Sequence, residues 1–275
     1  MAAAALYFSI MGVFVKLAGQ TLPSPMIVLG RAVVTLGLGA AALRRARLSF
    51  WGHNRRLLVL RGVAGFIALY CHYYGVTHLP LADATVIQYT SPIFTVLVAA
   101  VALGERFGLV QAASALVSLC GVVLVAQPSF LFGGAGTLPT VPVVVAVAGS
   151  VSSAFAYVLV RGLRATDHPL VVVFYFSLVA VAAALPAALP VWVWPEGRAW
   201  LYLAAVGVLT QLAQVHMTRG LHLEQAGRAT SVGYLQVVFA YVWGIALFEE
   251  LPTALGVVGA LCVLAGTFAL ARRRT

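Results

Sequence analysis

A chain of 275 residues with 62% hydrophobic and only 9% charged residues, at a mean hydropathy of +1.01, is not composed like a soluble domain, where about a quarter of residues are charged. The net charge of +10 on its own invites a nucleic-acid partner, but one Lys and sixteen Arg placed mostly between long apolar runs assign the charge to membrane topology and exclude nucleic acid. The three cysteines, Cys71, Cys120 and Cys262, each fall inside an apolar run, which reads as packing and excludes a disulfide framework or a metal site.

In chain order, the first apolar span covers about residues 2–19; it lacks a basic leading region and carries Lys16 in its second half, so it is not expected to be a secretory signal. The second runs from about 26 to 43 and carries Arg31. A basic loop with Arg44, Arg45, Arg47, Arg55 and Arg56 follows, then span three at about 57–77. Span four, introduced by Pro80 and the helix-capping residue type Asp83, stays uncharged from Ala84 to Gly104, enough to cross roughly 30 Å of hydrocarbon. Its centre is interrupted by Gln88, Tyr89, Thr90, Ser91 and Pro92, a polar, proline-kinked segment of the kind that lines a cavity. Span five is about 109–126, and a Gly- and Pro-containing loop, 127–139, separates two halves. Spans six to ten follow at about 140–160, 169–189, 199–218, 229–248 and 253–271.

Charge sets the expected orientation. With the N-terminus inside, the cytoplasmic segments 44–56, 105–106, 161–168, 219–228 and 272–274 hold thirteen Arg and the outer loops hold Arg198 alone. Arg61, near the inner end of span three, is expected to snorkel out. The reading is a multi-pass protein of a bacterial inner membrane with both termini cytoplasmic; the scarcity of Lys fits a GC-rich genome.

The segment LPLADATVIQYTSPIFTVLVAAVALGER resembles the fourth transmembrane helix of the drug/metabolite transporter superfamily, EamA type, with Pro92, Gly104, Glu105 and Arg106 at the matching places. The likeness covers essentially the whole chain. It implies a secondary transporter of amino acids, related metabolites or organic ions, often outward, with no cofactor, and makes Glu105 a helix-ending residue.

The second half repeats the first at a spacing of 144 to 145 residues: Pro25 maps to Pro169, His72 to His216, Gly75 to Gly220, Glu105 to Glu249 or Glu250, and Gly121 to Gly266. Five helices is an odd number, so the copies are inverted, an arrangement that binds substrate near the midplane. The expected fold is therefore all-α integral membrane, ten helices in two inverted five-helix repeats, 1–126 and 140–275, with 127–139 as an external linker.

The polar groups inside the spans are the candidate site. Lys16 and Arg31 are intramembrane cations at similar expected depth, each costing roughly 2.5–3.5 kcal/mol near a helix centre, and with Asp83 the sole acid in reach they point to an anionic group on the solute. Tyr70, Gln88, Tyr89, Ser91, Gln211, Gln214, Tyr234 and Gln236 are expected to line a cavity between the halves, with Gln211 and Gln214 on one helix face. His72 and His216 are candidate proton carriers, since no carboxylate lies mid-span. Arg161, the repeat partner of Lys16, falls toward the inner face, where a structural charge is expected. Ser114 with Ser118 and Gly256 with Ala260 form small-xxx-small pairs that favour close packing, or a homodimer through helices five and ten. The expected function is transport of a carboxylate-bearing small molecule such as an amino acid. The alternatives are a carrier of cationic or neutral drugs and an intramembrane enzyme using His72 and His216 on a lipid or prenyl substrate.

Overall fold

The computed structural model describes residues 1–133, 138–248 and 253–272, and among these all regular structure is helical. The helices are α1 (Ala2–Ala18), α2 (Ser24–Arg45), α3 (Arg55–His78), α4 (Leu81–Gln88), α5 (Ser91–Leu103), α6 (Leu109–Ala126), α7 (Ser129–Phe132), α8 (Thr140–Gly162), α9 (Pro169–Ala188), α10 (Arg198–Leu223), α11 (Ala226–Val232), α12 (Leu235–Phe248) and α13 (Ala254–Arg272). Eight spans are long and apolar enough to cross a bilayer, counting α4 with α5 and α11 with α12 as one span each; α1 and Ala254–Ala269 of α13 are shorter apolar helices. Glu249 and Glu250, the expected repeat partners of Glu105, lie outside the described residues, as do Arg273 and Arg274 of the basic tail.

The chain forms two compact units, neither contiguous: Ala3–Phe66 with Leu159–Leu223, and Ile67–Val158 with Glu224–Thr275. Each therefore draws helices from both halves of the sequence.

The first unit is built on α2, α9 and α10. Small residues set the α2–α10 contact: Gly30 meets Leu203, Gly207 meets Val34, and Gly39 meets Gln211. These pairings advance together, so the two helices run parallel. Helix α1 pairs with α10 in the opposite sense, Tyr7 against His216 and Phe14 against Tyr202. Asp167 fixes the loop before α3: its carboxylate accepts from the amides of His53 at 2.7 Å and Asn54 at 3.1 Å and from Thr166 Oγ1 at 2.7 Å. Tyr175 donates its hydroxyl to the Trp51 carbonyl at 2.8 Å, and Arg55 lies 5.2 Å from the Trp51 ring. Arg161 is buried and donates to the carbonyls of Leu221 and His222 at 3.2 and 2.7 Å, closing the C-terminal end of α10.

The second unit is built on α6 against α13. A Cβ on Gly121 would stand 2.5 Å from the Gly259 carbonyl oxygen, and one on Gly266 would stand 2.6 Å from the Ser114 carbonyl, so the backbones are in direct contact. Ser114 and Ser118 thus face α13 of their own chain, while Gly256 lies against Tyr241. Of the cysteines, Cys71 meets Gly149 and Cys262 is half-buried, but Cys120 is exposed on α6 and does not pack as expected.

Two expectations about span four change. Asp83 does not cap its own helix, which begins two residues earlier; it accepts from the Ser129 amide at 2.7 Å and from Ser129 Oγ, tying α4 to the short α7. The kink is a full interruption at Tyr89 and Thr90, because Pro92 sits in the first turn of α5 and offers no N–H to the turn before it. At the other end Gly104, in the left-handed conformation at φ 65°, stops α5, and Glu105 then accepts from the Ala226 amide at 2.8 Å. Glu105 is thus an N-terminal cap for α11 rather than a site residue.

Candidate functional site

In the second unit the polar groups gather where helices stop. The carbonyl of Ile87, freed by the break, accepts from the Thr90 amide at 3.1 Å, from Thr90 Oγ1 at 2.6 Å and from Ser150 Oγ at 2.6 Å. Gln88 donates to Ser153 Oγ at 3.1 Å. Ser150 and Ser153 of α8, with Tyr157 one turn further beside Tyr89, follow an i, i+3, i+7 spacing and present one polar stripe to the break. The sequence reading missed this stripe, although the spacing of its hydroxyls in an otherwise apolar span was there to find.

Span nine is also broken, between α11 and α12, without any proline. Gly233 and Tyr234 turn instead through short-range bonds, the Gly233 amide to the Thr230 carbonyl at 2.9 Å and the Tyr234 amide to the Ser231 carbonyl at 3.2 Å. Tyr234 stands 145 residues after Tyr89, and the two rings are 6.0 Å apart with a 34° tilt. The pseudo-equivalent interruptions therefore meet, tyrosine to tyrosine. Tyr234 is fully buried among Val86, Val122, Val237, Val238 and Val263, and its hydroxyl has no hydrogen-bond partner among the described residues. It belongs to a packed core and does not line an open space. Ser91 is buried, its carbonyl taking the Thr95 hydroxyl at 2.8 Å; Gln236 is half-buried, its amide held by the Gly233 carbonyl.

Tyr70 of α3 is 60% exposed. His72, half-buried, stacks edge-on with Tyr73.

The first unit keeps its polar groups on unbroken helices. Gln211 and Gln214 are both buried on α10, on one face as their spacing requires. Gln214 Oε1 accepts from Arg61 Nη2 at 3.2 Å, and the Arg61 guanidinium lies 4.2 Å from the centre of the Phe176 ring. Arg61 is 2% exposed and does not snorkel. Its side chain is folded toward Gly65, whose missing Cβ would stand 2.7 Å from Nη1 and 3.0 Å from Phe176. The glycine one turn further into α3 makes the seat, so the cation turns inward.

Lys16 is exposed near the end of α1, about 3 Å from it at 1.5 Å per residue, while Arg31 is buried about 10 Å inside α2. Their depths differ, because α2 starts before the predicted boundary. His216 Nδ1 is 2.9 Å from the Leu212 carbonyl, which can only accept, so this nitrogen carries the proton; its ring lies 5.5 Å from Tyr7.

The EamA-like transporter family matches this chain over residues 1–127 and 140–272. The pseudopaline exporter of Pseudomonas aeruginosa (strain UCBPP-PA14) is 34% identical over 268 residues, which cover 97% of this chain and 93% of that protein. Solute carrier family 35 member G1 of Mus musculus is 29% identical over 288 residues, 98% of this chain and 76% of that protein. One solved crystal structure superposes with a TM-score of 0.86 over 98% of this chain and 96% of that one, at 22% identity, a likeness of fold.

Proposed function

The chain belongs to the EamA-like transporter family and is a multi-pass membrane protein, and from that premise we propose that it is a secondary exporter or exchanger of a small carboxylate-bearing solute, such as an amino acid. It works by alternating access of two inverted five-helix halves, 1–126 and 140–275, in a bacterial inner membrane with both termini cytoplasmic. The observation that carries this reading is the meeting of the Tyr89 and Tyr234 interruptions, 145 residues apart. A helix interrupted within the hydrocarbon frees backbone carbonyls, which inverted-repeat carriers use at their solute sites. Gln88, Tyr89, Ser91 and Gln236 are the solute-facing groups there, with Ser153 and Tyr157 added from α8, and Tyr234 supports them from the core. The name of the bacterial relative supports outward movement, and Arg31, with Lys16 at the helix end, supports an anionic solute. A second copy docking on helices α6 and α13 would have to use their outer faces, since their small residues face each other.

The test is counterflow in proteoliposomes loaded with unlabelled amino acids, dicarboxylates or a cationic drug. Accumulation of at least one labelled carboxylate, absent from empty vesicles, is expected; counterflow of none refutes the carrier. The proposed orientation predicts that a cysteine at Gly134, outside the described residues, reacts with an impermeant thiol reagent on intact cells and that one at His53 does not.

A further inference from the structure

Arg61 is unlike the other inner-end arginines. It lies six residues into α3, roughly 9 Å at 1.5 Å per residue, a distance from which a long side chain can reach the helix end. It turns the other way, onto Gly65, with Phe176 under its face and Gln214 accepting one of its donors. The cradle admits no side chain at residue 65, so it fits a guanidinium held inward.

Polar groups with unused capacity stand on both sides of Gln214. One turn before it, Gln211 is 7% exposed, and its Oε1 has no hydrogen-bond partner; one turn after it, Thr218 is 0% exposed, and its Oγ1 has none either. The three share one face of α10 by their i, i+3, i+7 spacing. A buried amide oxygen and a buried hydroxyl left unbonded are each unfavourable, a penalty that a bound polar molecule removes.

We infer that Arg61, with Gln211, Gln214 and Thr218 of α10, forms a carboxylate-binding site inside the first unit. The guanidinium fork takes the carboxylate, and the α10 side chains take the polar substituent next to it, as in an α-amino or α-hydroxy acid. This deepens the carrier reading, on which it rests for the route by which solute arrives, and it places the main anion contact on Arg61 instead of Lys16 or Arg31.

The experiment uses the full chain in lipid nanodiscs, with acetate, L-glutamate and citrate as probes and matched chloride as control. Phenylglyoxal modification is followed residue by residue by mass spectrometry. Arg61 is expected to react, and at least one probe should slow that reaction by about threefold or more once raised above its Kd. The same probe should raise the melting temperature of the wild type. Arg61→Lys should fold but lose that rise. Thr218→Val, which removes a buried unbonded hydroxyl, should match or exceed the wild type in melting temperature without probe yet show a smaller probe-induced rise. Arg61 remaining unmodified while surface arginines react, or no probe changing either readout, would overturn the site. Counterflow of a cationic solute alone, with no carboxylate effect, keeps the carrier and removes this site; protection of Arg61 without counterflow of any solute does the reverse.

Discussion

The two compact units accommodate polarity in opposite ways. The first keeps α2, α9 and α10 unbroken at 22, 20 and 26 residues and buries charge on α2, on α3 and at the end of α8: Arg31, Arg61 and Arg161 are all under 10% exposed. The second places no charged side chain at its helix breaks and exposes backbone instead, where α4 gives way to α5 and α11 to α12. A buried cation needs a partner fixed in position, so it favours rigid helices. A freed carbonyl needs only a nearby hydroxyl, which Ser150 and Thr90 supply, and it leaves the chain able to bend. The first unit thus carries its buried polarity on side chains of continuous helices, and the second carries it on the backbone of two interruptions.

The sharpest way to break this comparison is at the helix contacts. Gly121→Val drives a side chain into the Gly259 backbone and should leave almost no monodisperse protein on size exclusion, whereas Gly12→Val, with nothing within 4 Å, should behave as wild type. In the first unit Gly207→Ala collides with the Val34 side chain, which can be trimmed; it should cost about 1–3 kcal/mol, and adding Val34→Ala should restore most of the melting temperature. Equal tolerance at 121 and 207 would erase the distinction between a backbone contact and a side-chain contact.

Next in size is Asp167→Asn. It removes the charge from two amide bonds and should lower stability by about 2 kcal/mol, read as a fall in melting temperature with the loop at 46–54 becoming open to protease. Ser150→Ala is a smaller change: the Ile87 carbonyl keeps both Thr90 donors, so about 1 kcal/mol is lost, while counterflow should fall by more than the melting temperature implies. A melting loss with unchanged counterflow would make the α4–α5 break purely structural.

The smallest effect is one of pH. His168 accepts the Leu170 amide at the start of α9, and burial, then Arg219, holds its imidazole below the ordinary range. Its neutral form is therefore favoured by folding. The stability it contributes is present above the usual histidine pKa near 6.5 and is lost as pH falls through the lower folded value. Melting temperatures at pH 7.5 and 5.5 should differ less in His168→Asn, which keeps a cap that does not titrate.

Most of the helices were legible because hydrocarbon length and apolar composition leave few choices, and Pro92 announced the first break. The second break carries no proline and rests on Gly233 alone, so nothing local marked it. Arg61 shows where sequence runs out more sharply. Six residues from a helix end is a depth from which snorkelling and inward seating are equally available. What decides is Gly65 together with Phe176 and Gln214, the last of them 153 residues away.

The discontinuity of the units bears on how the protein is made. At translation rates of about 5–20 residues per second, Gln214 follows Arg61 out of the ribosome after roughly 8–30 s. During that interval α3 exists without the ring and the amide that later flank its cation. The first three helices must then be inserted and retained before any of their partners in the first unit has been synthesised, and the unit closes only when α10 is complete. Biogenesis of this chain is thus a two-part event, insertion of helices as they emerge and a late, nearly simultaneous closure of both units. A truncation before residue 198 would yield inserted helices with neither unit formed.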